Sequence, residues 1–258
     1  PGLQGGLSAL MNSSSPGIAL IGGAGTGKTQ LIASLAGYWV QKNIYEPGEV
    51  LAITFTNTGV SMLSDRILQT TEEKGAGIEV TGIEGFCLTL LSRIYKVTPR
   101  IFDKKDRSHF ITLIFPFLSH EQRQRLTAYI SNPGKGEKRD EDQDFPHLRD
   151  TYFHSLYNIG VCDRDVLPLQ TTQLITNHPG ILLSIQQKYK CIFIDDLHYM
   201  NNNHYSLLSQ VILHTLFLET ETKNNQKVVI SLDPFQETMT SASGHSSRTF
   251  VSRFINQH

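Results

Sequence analysis

Ile18-Ala19-Leu20-Ile21-Gly22-Gly23-Ala24-Gly25-Thr26-Gly27-Lys28-Thr29 decides how the chain is read. Four apolar residues run into glycines, and from Lys28 to Val40 apolar residues recur at helical spacing, so the stretch reads as strand, glycine loop, helix. Gly22 to Thr29 fits G-x-x-x-x-G-K-[ST] at the junction where that pattern has a mechanism. Glycines let consecutive N–H groups turn toward an anion, and the helix N-terminus adds partial positive charge. Lys28 can reach the β- and γ-phosphates of a nucleotide, and the Thr29 hydroxyl can ligate Mg2+. The whole run Gly22, Gly23, Ala24, Gly25, Thr26, Gly27, Lys28 and Thr29 is therefore expected to hold phosphate. The alternative is a tight glycine turn carrying an exposed lysine.

The pattern repeats outward from this loop. Val50 to Phe55 reads as a buried strand and Val60 to Leu68 as the helix after it; Ile78 to Thr81 is a third strand and Gly85 to Tyr95 a third helix. Strand character returns at Cys191 to Asp196, followed by a helix from about His204 to Leu218 and a strand from Val228 to Asp233. Strands alternating with helices predict an α/β fold with a parallel sheet. Ligands of such sheets bind at the carboxyl ends of strands, so the glycine loop, the Asp195-Asp196 pair and Asp233 are expected to converge on one crevice. Mg2+ on phosphates needs a hard oxygen ligand, a role that fits Asp195. Asp196 could position or deprotonate an attacking water. The alternative for both aspartates is capping of the next helix.

Between Pro99 and Tyr189 apolar residues recur only at helical spacing, which predicts an inserted all-helical subdomain. The expected pieces are thus 1–97, 98–188 and 189–258. Within the insertion, Asn132 to Pro146 carries three basic and five acidic side chains and almost no apolar one, and reads as a loop. Ser241 to Ser247 reads as a connector.

With 258 residues, 39% hydrophobic and 23 basic against 24 acidic, the chain is long enough to bury a core without disulfide or metal staples. Three widely spaced cysteines outside any CxxC pattern favour a reducing compartment, and the expected location is cytoplasmic. No run approaches the roughly 20 apolar residues of a membrane span, and no basic-then-apolar leader opens the sequence. A net charge of −1 excludes a protein that is basic all over but leaves room for a local basic stripe. Among the ten histidines, His198 and His204 stand six apart and His245 lies in a Gly/Ser-rich stretch, so surface or helix-capping roles are expected over zinc ligation. Trp39, on the helix after the loop, is expected in the core.

Leu51-Ala52-Ile53-Thr54-Phe55-Thr56-Asn57, with Met62 and Arg66-Ile67 beyond it, is similar to the TFTN motif of the UvrD/Rep-like superfamily 1 DNA helicases. The glycine loop resembles the family's GAGSGKT-type loop, Gly160-Val161-Cys162-Asp163 its G-L-V-D segment, and Ile192 to His198 its VDE-x-Q segment, with Asn202 and Tyr205 following. Ser231 to Gln236 is similar to G-D-P-x-Q. The resemblance spans nearly the whole chain. It implies a RecA-like P-loop NTPase domain with the helical insertion, binding ATP and Mg2+, with Thr29 and Asp195 at the metal, and Asp196 and Gln236 as the catalytic pair. Phe55, Thr56 and Asn57 would meet single-stranded DNA, where an aromatic and short polar side chains contact bases and backbone. Gln4 would read adenine; the alternative is an ordinary surface glutamine. A second RecA-like domain, in the same or another chain, would complete the motor and supply arginines to the γ-phosphate.

Departures from the family pattern bear on activity. Asp196 replaces the catalytic glutamate and is one methylene shorter, which displaces a water-activating carboxylate by roughly 1 Å or more. His198 and Tyr199 stand for a glutamine and an aspartate, Gly82-Ile83-Glu84 for the T-x-H groove motif, and Met239, Ser241 and Ala242 fall where aromatics and an arginine are usual. An anionic Glu84 opposes phosphate, so the DNA track is weakened. The competing expectation is a degenerate nucleotide-binding or scaffold module with little or no ATPase activity. An unrelated P-loop kinase or GTPase is disfavoured by the TFTN segment and the large insertion.

Overall fold

In the computed structural model, which describes residues 8–131, 142–217, 226–236 and 247–256, the glycine loop hangs between β1 (Gly17–Ile21) and α1 (Lys28–Gln41). The chain divides into two compact units, one of Pro1–Phe86 with His178–His258 and one of Cys87–Asn177. The first division falls inside α3 (Ile83–Tyr95); the expected pieces met at 97/98 and 188/189.

The first unit is a five-stranded, wholly parallel sheet. Its order is β1, β7 (Lys227–Leu232), β6 (Cys191–Ile194), β2 (Val50–Thr54) and β3 (Glu79–Gly82). β2 and β6 are buried along their whole length, which is why both read as unbroken apolar runs. β1, at the edge, alternates between buried and more open positions. Helices α2 (Asn57–Thr71) and α9 (Asn202–Phe217) connect β2 to β3 and β6 to β7. α1 buries Ile32, Leu35, Ala36 and Trp39. The Trp39 ring stacks on Phe193 at 5.7 Å between centroids, meets Tyr45 edge-on at 5.9 Å, and donates its indole N–H to the Met11 carbonyl at 3.2 Å. This places Trp39 in the core as expected. α1 and α2 approach closely at Gly37, where an added Cβ would lie 2.8 Å from Thr70 Cγ2.

α9 is capped reciprocally. Asn201 Oδ1 accepts from the His204 amide at 3.0 Å, and His204 Nδ1 accepts from the Asn201 amide at 3.2 Å. The imidazole lies 5.3 Å from the Phe55 ring centre. Burial pushes its pKa down to about 4, consistent with a ring nitrogen that must stay unprotonated to accept.

The second unit corrects the all-helical expectation. Its helices α4 (Lys104–Ile114), α5 (His120–Ser131), α6 (Phe145–Asn158) and α7 (Leu167–Asn177) accompany two parallel three-residue strands, β4 (Arg100–Phe102) and β5 (Val161–Asp163). Runs this short carry no period that distinguishes strand from helix. β5 delivers Asp163 into a buried polar cluster: Arg107 Nε lies 3.1 Å from Asp163 Oδ2, and Tyr152 donates its hydroxyl to the same oxygen at 2.7 Å. Gln170 accepts from the Asp163 amide at 3.1 Å, and Arg107 Nη2 donates to Thr127 O and Ser131 Oγ. Burial pushes the Asp163 carboxyl above its ordinary value even though Arg107 pulls it down. The loop expected over Asn132–Pro146 is also shortened: residues 132–141 lie outside the described ones, but Phe145 is buried and opens α6. The Pro at the second position of that helix suits a first turn, where no intrahelical donor is needed. Of the expected connector Ser241–Ser247, residues 241–246 lie outside the described ones and Ser247 opens α10 (Ser247–Asn256). Beyond Asn177, α8 (Pro179–Lys188) leads back into the sheet. Among the described residues no helix is long and apolar enough to cross a membrane.

Two measurements test this account. Asp163→Ala removes the buried anion on Arg107, leaving the guanidinium only the partly exposed Asp165 carboxylate at 3.4 Å, and should cost about 3 kcal/mol, read as a lower urea midpoint, whereas Arg107→Met with Asp163→Leu should fall much nearer the wild type. For His204, the folded value of about 4 lies below the unfolded 6.5, so the unfolded chain takes up the proton first. Its contribution to stability is complete above about pH 6.5 and is lost as the pH falls toward 4; the wild type should therefore lose more stability over that interval than His204→Gln in parallel thermal melts.

Candidate functional site

Because every strand of the sheet is parallel, all carboxyl ends share one edge. In the order β1, β7, β6, β2 this edge carries the glycine loop, Asp233, Asp195 and Thr54 side by side. Strands lie about 4.8 Å apart, so the loop and Asp195, two strands away, are separated by about 10 Å.

The loop has the backbone that its glycines allow. Gly25 and Gly27 take φ of 70° and 85°, a left-handed region that a side chain would strain. No heavy atom lies within 4 Å of where a Cβ would stand on Gly23, Gly25 or Gly27, so the loop borders open space at these positions. Gly27 precedes α1 with no side chain capping the helix and no acidic residue in its first turn, the electrostatic setting an anion requires. The Gly22 amide donates to Leu232 O at 3.1 Å and ties the loop to β7. Lys28 folds back over the loop, its ammonium donating to Gly22 O at 2.7 Å and Gly23 O at 2.8 Å. Thr26 also donates to Gly23 O, at 2.9 Å. Thr29 is half-buried in the first helical turn.

Asp195 is buried, and its amide donates to Ile53 O at 2.9 Å. The Ser231 hydroxyl on β7 donates to Asp195 Oδ1, and the Asp196 amide reaches the same oxygen at 3.1 Å. Both bonds fall on Oδ1, which leaves Oδ2 for a further ligand. Asp195 Oδ2 and the Thr29 hydroxyl are hard oxygen donors of the kind Mg2+ takes. Asp196 adopts φ 58°, a left-handed conformation that aspartate tolerates better than longer acids. Its amide donates to Ser231 Oγ at 3.0 Å. Burial first, then the charges of Asp195 and Asp233, hold its carboxyl above the ordinary value, against the opposing pull of His198 and Lys28.

Of the residues expected on DNA, Phe55 is half-buried against His204. The Thr56 hydroxyl accepts from the Gly59 amide at 3.0 Å and so caps α2, while Asn57 is exposed in that helix's first turn. Glu84 is exposed in the first turn of α3, a position where an acidic side chain is favourable to the helix. Gln236 is exposed just past β7, its amide 3.4 Å from Asp233 O. Gln4 lies outside the described residues.

Three residues near this edge hold buried polar atoms whose state the sequence did not show. Asp233 spends Oδ1 on the Phe235 amide at 2.9 Å, but its buried Oδ2 has no partner. Thr54 Oγ1 is buried without a partner, as are both ring nitrogens of His198. His198 is therefore neither a surface nor a capping histidine, which corrects that expectation: the short helical turn Leu197–Tyr199 folds it inward, leaving it 4% exposed. Each unsatisfied buried group carries about 1–3 kcal/mol of desolvation. Thr54 and Asp233 stand at the carboxyl ends of β2 and β7, and His198 in the turn after β6. Ser231, which joins β6 to β7 through Asp195 and Asp196, was legible only as a residue of an apolar strand.

The UvrD/REP helicase N-terminal domain family matches residues 7–218. ATP-dependent DNA helicase Rep of Salmonella typhimurium is 24% identical over 212 residues, covering 75% of this chain and 32% of the relative. The Rep helicase of Escherichia coli gives the same figures, 24% over 212 residues with 75% and 32% covered. The probable DNA helicase II homolog of Mycoplasma capricolum is 22% identical over 236 residues, 81% of this chain and 32% of its own length. The chain spans about a third of the length of these curated relatives. With the glycine loop, Asp195, Asp196 and the TFTN segment all inside the matched stretch, the chain belongs to the UvrD/REP helicase N-terminal domain family.

Proposed function

We propose that this chain binds Mg·ATP along the carboxyl edge of its sheet and, joined to a second RecA-like domain, couples hydrolysis to movement on single-stranded DNA. The observation that carries the reading is the open, uncapped glycine loop two strands from a buried Asp195 with one carboxylate oxygen unspent. Backbone amides of the loop and the α1 N-terminus hold the phosphates, and Lys28 leaves its own loop carbonyls to meet them. Thr29 and Asp195 hold Mg2+, which neutralises phosphate charge when bound. Asp196 and Gln236 act at the water and the γ-phosphate, and Phe55, Thr56 and Asn57 face the nucleic acid. Of these three, Thr56 offers the least, since its hydroxyl caps α2.

A second reading, a module that binds nucleotide but hardly hydrolyses it, is favoured by Asp196. Its side chain is short, its backbone is left-handed, and burial with two neighbouring carboxylates works against its charged form. Asp196 separates the two readings.

Calorimetric titration of this chain with Mg·ATP should give binding that Lys28→Ala weakens at least tenfold; equal heats for both proteins would remove the nucleotide reading. In the complete polypeptide with single-stranded DNA, Asp196→Glu should raise ATP turnover at least tenfold over a slow wild type. Robust wild-type turnover would remove the module reading instead.

A further inference from the structure

His198 and Asp196 sit two residues apart on one turn, and each has hydrogen-bonding capacity that the structure leaves unspent. A neutral imidazole carries one donor and one acceptor, and neither ring nitrogen of His198 has a partner although the residue is 4% exposed. Such orphaned groups are rare in protein interiors and call for a role. The Asp196 amide donates to Asp195 Oδ1 and Ser231 Oγ, and its carbonyl accepts from the Tyr199 amide at 3.1 Å; among the described residues no hydrogen bond reaches its carboxylate. A buried imidazole and a half-buried carboxylate thus stand two residues apart on one turn, with no hydrogen bond between them.

The surroundings restrict what else the imidazole can serve. Its turn packs against β7 and α10, and the ring of Tyr199 lies 4.3 Å away, tilted by 41°. Tyr199 is itself 43% exposed. The charges that act on Asp196 are those of Asp195, His198, Lys28 and Asp233, so His198 is one of only two groups among them that favour the ionised carboxylate. The other, Lys28, is occupied by the loop carbonyls.

We propose that His198 is a positioning residue for Asp196: when Mg·nucleotide fills the loop, an imidazole N–H donates to the Asp196 carboxylate and fixes the short side chain at the crevice. This rests on the nucleotide-binding reading above. A carboxylate one methylene shorter than glutamate has less reach, and a donor on its flank compensates by limiting the orientations it samples. It also gives the otherwise unsatisfied imidazole a partner only in the loaded state, so that the two groups act as a pair that closes on binding.

The test uses the chain with 15N-labelled histidine and Mg2+ with the non-hydrolysed analogue AMP-PNP. Calorimetry establishes binding, and long-range 1H–15N correlation spectra report the His198 ring. Addition of Mg·AMP-PNP is expected to shift one His198 ring nitrogen and bring up a slowly exchanging ring N–H. Asp196→Gly, whose new residue suits the left-handed backbone, should still bind and lose that signal; Asp196→Asn, which keeps an oxygen acceptor at the same length, should restore it. Binding without a change at His198, or a change that persists in Asp196→Gly, overturns the pairing and leaves the nucleotide reading intact. Absence of binding in calorimetry overturns both.

Discussion

The insertion of β7 between β1 and β6 is the constraint on which the rest of the first unit depends. Parallel pairing on both of its edges sets the end of the last strand beside the glycine loop on one side and Asp195 on the other. Two hydrogen bonds then lock the edge: the Gly22 amide onto Leu232 O, and the Ser231 hydroxyl onto Asp195. Without β7 the loop and the aspartates would belong to strands with no common neighbour. A strand far along the chain from the loop therefore decides whether the glycine loop stands at the same edge as Asp195 at all.

The same edge stores its unsatisfied polar atoms where chemistry is expected. Thr54 at the end of β2, Asp233 just past β7 and His198 in the turn after β6 have buried atoms without a hydrogen-bond partner among the described residues. Other polar groups of the unit are spent on the fold, Trp39 on Met11, Lys227 on Ser13, Asn201 and His204 on each other, although Ser209 Oγ and Gln226 Oε1 are also buried without a partner among the described residues.

In the second unit the opposite holds. Asp163, which resembles a family motif position, is fully engaged by Arg107, Tyr152, Gln170 and Asp165. Its conspicuous sequence context reflects a buried ion pair that orders the ends of α4, α5 and β5. Such pairs add little net stability but are costly to break.

Element types along the sheet were readable from period alone, because β2 and β6 are buried on both faces and helices between them keep an apolar stripe. The glycine loop was equally legible, since its backbone demands glycine at Gly25 and Gly27. Strands β4 and β5 were not, as three residues carry no period, nor was the start of α6 inside a charged stretch. Strand order, the inward turn of His198, the diversion of the Thr56 hydroxyl to a helix cap and the left-handed backbone of Asp196 were decided only by tertiary structure. The physical reason is range: a local sequence determines what its own backbone prefers, whereas burial, pairing and the fate of each polar atom depend on residues that only the folded chain brings near.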